Sequence, residues 1–164
     1  MKYLYIFYIN LKYIMPPPHI WGPPTWTFIH TLVEKINEDD FNKLFPQLFN
    51  KIKQICSFLP CPECSMHAKM NLGKIKTHEI KTKTDLINMM YLFHNMVNVM
   101  KKKGLYNYAD MSKYKNINIA VAFNNFVNVY HTKGDMKQLS ETFQRQLVIN
   151  DLRKWLLHNM KSFS

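Results

Sequence analysis

The sequence predicts an all-α protein built as a helix bundle, and three observations carry that prediction. Apolar residues recur at three- and four-residue spacings along most of the 164 residues, which is the period of one helix face. No long run of alternating apolar and polar residues competes for a sheet, and no internal repeat divides the chain. A hydrophobic content of 47%, with 14% aromatic residues, is ample for one packed domain and excludes a disordered tail.

Residues 1–15 form a short aromatic-rich apolar run that includes Lys2 and Lys12. It is too short and too interrupted for a membrane span, and it lacks the small-residue cleavage pattern of a signal peptide. Two alternatives stay open: an interfacial membrane contact, or translation starting at Met15 so that the preceding residues are not native. Pro16 to Pro24 reads as an extended lead-in, because clustered prolines disfavour αR geometry in the residues before them. A first helix starts from Thr25, which can cap it, with Trp26, Ile29, His30 and Val33 on one face. A second spans Phe41 to Phe58, capped by Asp40, with Leu44, Phe45, Leu48, Ile52, Ile55 and Phe58 as its apolar stripe. Pro60 ends it. A third helix begins at Cys61 and runs to about Leu72, where Gly73 supplies the stop signal.

The longest predicted helix, Glu79 to Lys103, gathers Ile80, Leu86, Ile87, Met90, Tyr91, His94, Val97 and Asn98 to one side. His94, Asn95 and Asn98 among apolar neighbours need hydrogen-bond partners if buried, which an embedded polar ligand would supply. Lys101, Lys102, Lys103 and Gly104 close this helix, where lysines suit the dipole. A Tyr-rich connection, Leu105 to Lys115, leads to two further amphipathic helices, about Ile117 to Tyr130 and Lys137 to Met160, separated near Gly134.

A net charge of +11 would favour a polyanionic partner if the basic residues shared a face. They are scattered, and only Arg145 and Arg153 are arginines, whereas bidentate phosphate and base recognition leans on Arg. Abundant Lys, Asn and Ile point to A/T-rich coding as the source of the charge, and nucleic-acid binding is the minor reading. The four glycines, Gly22, Gly73, Gly104 and Gly134, are too dispersed for a G-x-G-x-x-G dinucleotide fingerprint.

Three cysteines are too few for a disulfide scaffold. Two of them, Cys61 and Cys64, are spaced C-x-x-C at a helix start: Cys61 near the N-cap, Pro62 at the first helical position and Glu63 in the first turn. Unpaired N–H groups there stabilise a thiolate, so a redox pair is the sharper hypothesis. Two others compete. Cys56, Cys61, Cys64 and His67 could supply a closed Cys3His zinc site in a helical interaction module, or the thiols could be merely buried and structural.

Taken in order, Trp21-Gly22-Pro23 with Trp26-x-x-x-His30, then Leu59-Pro60-Cys61-x-x-Cys64 with His67-Ala68, then Phe93-His94-Asn95-x-Val97-Asn98 resemble the Erv/ALR-type FAD-linked sulfhydryl oxidases, especially the compact forms of large DNA viruses. The resemblance covers roughly residues 20–117. It implies a four-helix bundle with a short fifth helix holding FAD over residues 16–117, followed by a helical C-terminal extension, residues 118–164. It implies that Trp26 and His30 contact the cofactor from the first helix, Gly22 from the segment before it, and His94, Asn95, Val97 and Asn98 from the long one, with Lys103 and Tyr114 as further contacts. It assigns Cys61 as the outer sulfur attacked by a thiol-containing client or small redox protein, and Cys64 as the sulfur that passes electrons to FAD. Oxygen is then the final acceptor, giving hydrogen peroxide. A homodimer acting in the host cytoplasm or virion completes the expectation.

The sequence departs from the family pattern in three places. It has no second C-x-x-C, since only Cys56 remains. Lys101-Lys102-Lys103 replaces the Leu-Gly-Lys that often follows the His-Asn element. The tail beyond about Ile117 has no recognisable motif, and can extend the bundle or build a dimer surface.

Overall fold

Six α-helices and three 3-10 segments make up the described residues, 16–131 and 139–163, of a computed structural model. The α-helices are α1 (Pro18–Lys35), α2 (Glu38–Ser57), α3 (Pro62–Gly73), α4 (Lys83–Met100), α5 (Ile119–Tyr130) and α6 (Leu139–His158). Among the described residues there is no strand, only an isolated bridge between Ile36 and Phe163. The predicted all-α fold is therefore the observed one. Residues 1–15, with the alternatives attached to them, and Gly134 and Lys137 lie outside the described residues. No described helix is long and apolar enough to cross a membrane.

The first helix corrects the expectation of an extended lead-in. It begins at Pro18, seven residues before Thr25, with Pro17 in extended geometry (ψ 154°) as its N-cap. A proline at the first position loses no hydrogen bond, because that N–H has no helical partner. Pro23 and Pro24 lie inside the helix and deprive the carbonyls of His19 and Ile20 of donors. Both residues are exposed, so water can serve those carbonyls, while Trp21 is buried and anchors this turn in the core. Thr25 is not a cap: its hydroxyl donates back to the Trp21 carbonyl at 2.7 Å. Tertiary burial of Trp21 thus outweighs the local preference of the prolines.

The α2 boundary moves outward as well. Asn37 occupies its N-cap position and Asp40 sits in the first turn with Glu38 and Asp39, where the helix dipole favours carboxylates. Its predicted stripe is the core face: Leu44, Leu48, Ile52 and Ile55 are at most 2% exposed, and Phe45 and Phe58 pack against them half-buried.

The long helix starts four residues later than its periodicity suggests. A capping box defines its beginning: Asp85 N–H donates to Thr82 Oγ1 at 3.1 Å and the Asp85 carboxylate accepts from Thr82 N–H at 2.8 Å. Glu79 belongs to a short 3-10 turn, Thr77–Glu79.

The α4 C-terminus is a Schellman turn. Lys102 N–H donates to the Val99 carbonyl and Lys103 N–H to the Asn98 carbonyl, at 3.0 and 2.8 Å. Lys102 holds the left-handed position usually given to glycine, with φ of 54°. Its side chain is exposed. Lys102→Gly should therefore stabilise the protein by about 0.5–1 kcal/mol, the relief of Cβ strain exceeding the added freedom of the unfolded chain. Urea denaturation of the two proteins checks this; an unchanged or lowered midpoint would contradict it.

The short helix after α4 is a 3-10 segment, Tyr108–Asn116, which packs on α1 and buries Met111 and Tyr114. The C-terminal extension joins the same core. Phe28 of α1, fully buried, stacks on Phe126 with ring centroids 5.0 Å apart and meets Phe123 at 5.4 Å. Burying a side chain of that size contributes about 1.5–3 kcal/mol. Tyr130 donates its hydroxyl to the Ile55 carbonyl at 3.0 Å, tying α5 to α2. Helix α6 runs antiparallel to α2, through Trp155 Nε1–H to Gln47 Oε1 at 2.7 Å and an ion pair between Lys51 and Asp151. The N-terminal end of α6 consequently falls beside the end of α2 and the start of α3.

Candidate active site

Cys61 is the N-cap of α3, in extended geometry, with Pro62 as the first helical residue and Glu63 in the first turn. Its sulfur accepts the Cys64 N–H at 3.2 Å and is bonded to Cys64 as a disulfide. A helix N-terminus directed at sulfur favours thiolate when the bond opens. The approach to the pair is held by Ser65, whose N–H donates to the Cys61 carbonyl at 2.9 Å and whose hydroxyl donates to the Leu59 carbonyl at 3.4 Å.

Behind the disulfide lies a cavity of about 340 Å³ between α1, α3, α4 and the 3-10 segment. Cys64 lines it and Cys61 does not. The two sulfurs therefore face different surroundings, a distinction that the C-x-x-C spacing could not make.

Of the residues named as cofactor contacts, Gly22, Trp26, His94, Val97, Asn98, Lys103 and Tyr114 line this cavity. His30 does not; it stands behind the wall, fully buried, with Nε2 2.9 Å from His94 Nδ1. Asn95 also lies off the wall and holds Tyr106 instead, donating to its carbonyl at 3.2 Å and accepting its N–H at 2.7 Å. Tyr106 is itself a wall residue that sequence reading missed. Its one signal was a place in the Tyr-rich connection, which carries no periodicity. Trp21, Lys101 and Lys113 line the cavity too.

The walls are flat and aromatic. Trp26 and His94 stack with ring centroids 3.9 Å apart and planes 9° from parallel, and behind the wall His30 stacks on Tyr114 at 4.8 Å. Burial, reinforced by His94 and Lys113, lowers the pKa of His30 to about 3; burial with Lys103 and Lys113 lowers that of His94 to about 4. Both imidazoles are neutral at pH 7, so each offers one donor and one acceptor nitrogen. Burial and the hydroxyl of Tyr106 raise the Tyr114 phenol above its ordinary value, which keeps it protonated.

Two observations mark space for a ligand. Trp21 Nε1–H is buried without a protein partner on the cavity wall, and an unmatched donor of this kind carries a desolvation cost that a bound acceptor removes. A Cβ added at Gly22 would meet no protein atom within 4 Å, so the backbone there leaves open room at the wall. Lys101, Lys103 and Lys113 suit phosphate groups. The donor set fits a planar ring system joined to a pyrophosphate.

The zinc alternative does not assemble. Cys61 and Cys64 are bonded to each other, and among the described residues no group of three or more His, Cys, Asp or Glu side chains is gathered to hold a metal ion. Cys56 is a buried free thiol whose pKa burial pushes up to about 12, so it stays protonated and inert in exchange.

A helix bundle with a C-x-x-C disulfide set against an aromatic, lysine-edged slot has the parts of a thiol-redox site beside room for a planar ligand. The chain belongs to the Erv1 / Alr family, which matches residues 23–117, more than half of its length. A protein of Invertebrate iridescent virus 3, named as an FAD-linked sulfhydryl oxidase, is 28% identical over 87 residues, covering 52% of this chain and 59% of that protein. The match thus spans less than two thirds of the relative's length. No solved structure matches the chain.

Proposed function

We infer that the chain is an FAD-dependent thiol oxidase that forms disulfide bonds in protein substrates. The observation that carries this reading is the division of the disulfide: Cys64 on the cavity wall, Cys61 outside it. One sulfur is thereby free to meet a client while the other faces the cofactor slot.

A client thiolate attacks Cys61 Sγ, the Cys61–Cys64 bond breaks, and Cys64 leaves as a thiolate. A second client thiolate then attacks the client sulfur of the mixed disulfide, closing the client's disulfide and releasing Cys61. The α3 N-terminus stabilises the negative charge that develops on sulfur in both steps. FAD held in the slot would supply the two-electron acceptor for the reduced pair, with O2 as the final acceptor and H2O2 as its product. Trp26 and His94 would pack on its rings, Trp21 Nε1–H and Asn98 would offer hydrogen bonds, and Lys101, Lys103 and Lys113 would meet its phosphates. His30 and Asn95 position His94 and Tyr106.

The named viral relative supports FAD as the cofactor, and the host cytoplasm or virion is the place of action in this reading. A thiol-bearing protein or small redox protein is the electron donor in this reading. A homodimer is its assembly, supported by Leu92, Met96 and Val99, exposed along one side of α4.

The purified chain is expected to be yellow, to sediment as a dimer, and to consume O2 when given dithiothreitol. A colourless protein that reconstitution with FAD does not activate would overturn the oxidase reading, and a monomer would overturn the assembly alone.

A further inference from the structure

A second hollow, of about 390 Å³, is lined by Leu59 and Pro62, which bracket Pro60 and Cys61 in the chain. Pro62, Met66 and Met70 recur every four residues along α3 and form one wall, with Met66 52% and Met70 56% exposed. Phe58 and Leu59 supply further apolar surface, and Glu141 of α6 faces them. The charges at the rim are engaged: Lys69 Nζ lies 5.4 Å above the Phe58 ring, and Glu141 stands 3.9 Å from Arg145. One cation and one anion leave no net charge to select a charged ligand. Methionine walls adapt to apolar side chains of different shape.

We propose that this groove binds the stretch of client polypeptide next to the reactive cysteine, in extended form and carrying a bulky apolar side chain, with Glu141 of α6 at its edge. The proposal rests on the thiol-oxidase reading. It commits to a client because Leu59 and Pro62, which stand on either side of Cys61 in the chain, both line the groove. Pro62, its first residue, directly follows Cys61, so a client joined to Cys61 must lay its neighbouring residues along α3. Met66 is about 6 Å along the helix from Pro62, the span of roughly two extended residues. The apolar client side chain therefore falls two to three positions from its cysteine. Glu141 lies outside residues 23–117, the part shared with the family.

The test compares two reduced peptides of equal charge and identical Cys-x-x-Cys core, one flanked by Leu and Phe and the other by Ser, with dithiothreitol as the small dithiol, all assayed by oxygen consumption with the full-length flavin-loaded protein. The apolar peptide should show kcat/KM about tenfold above the polar one. M66Q/M70Q should bring it down to the polar peptide's level through KM and leave dithiothreitol turnover unchanged, while M66L/M70L should retain the preference. Equal kcat/KM for the two peptides in the unaltered protein, a preference surviving in M66Q/M70Q, or a fall shared with dithiothreitol would each overturn the groove. A change in sedimentation with the preference intact would make this face a contact between copies and overturn it as well. No turnover of the unaltered protein even with dithiothreitol would remove the oxidase reading itself, and the groove with it.

Discussion

Replacing Cys64 with serine is expected to leave the protein yellow and to lower oxidase turnover about a thousandfold or more. The substitution is close to isosteric, so the cavity wall that Cys64 shares with Trp26, Val97 and Asn98 is preserved. What disappears is the exchangeable sulfur on the cofactor slot, which Cys56 also lines. Cys61 alone cannot cycle between disulfide and dithiol, and Cys56 cannot replace the lost thiol, because it is buried and its pKa is held near 12. Flavin absorbance and oxygen consumption read the two effects separately; full activity in Cys64→Ser would overturn the assignment. A companion measurement separates the roles. In Cys64→Ser the remaining thiol, Cys61, should react with iodoacetamide faster than Cys64 does in Cys61→Ser, since Cys64 lies on the wall of the cofactor slot. The reverse order would exchange the inner and outer sulfurs.

Acid should destabilise the protein through its paired histidines well before it protonates ordinary carboxylates. In the folded state His30 takes a proton only near pH 3 and His94 near pH 4, against 6.5 when unfolded. Between those limits the unfolded chain binds more protons, so stability rises with pH and is lost as pH falls from about 6.5. From pH 7 to pH 5 the loss is about 2 kcal/mol for His30, and less for His94, which is more open to solvent. Glu34 works in the opposite direction. Burial raises its carboxyl pKa, against the pull of Lys115 and Lys83, so its contribution is present at low pH and fades as pH rises through its folded value. Urea denaturation at pH 7 and pH 5 measures the sum. His30→Gln should flatten the difference by about 2 kcal/mol, whatever the variant costs at pH 7. An unchanged difference would mean that His30 does not carry it.

Much of this architecture was legible because its signals are local. The α2 stripe follows from periodicity, and the α3 start from Cys61, Pro62 and Glu63, whose roles as cap, first residue and first-turn acid are set by helix termini in general. The misreadings arose where local preference met tertiary burial. Pro23 and Pro24 argued against the first two turns of α1, yet Trp21 is buried and holds those turns helical. Thr82 and Asp85, separated by three residues, fit a cap that the apolar pattern from Ile80 onward obscured.

At the site, the sequence alone determined that a C-x-x-C pair stands at a helix start, because helix caps act within a few residues. The wall residues came from the resemblance to a family, since i, i+4 spacing by itself suits Trp26 and His30 equally to an ordinary core. Only the tertiary structure decided that Cys64 lines the slot while Cys61 lies outside, that His30 and Asn95 support the wall rather than form it, and that Tyr106 belongs to it. Those facts depend on contacts between residues far apart in the chain, His30 with His94 and α1 with the segment after α4. Such contacts are set by how helices pack, and no spacing along one helix encodes them.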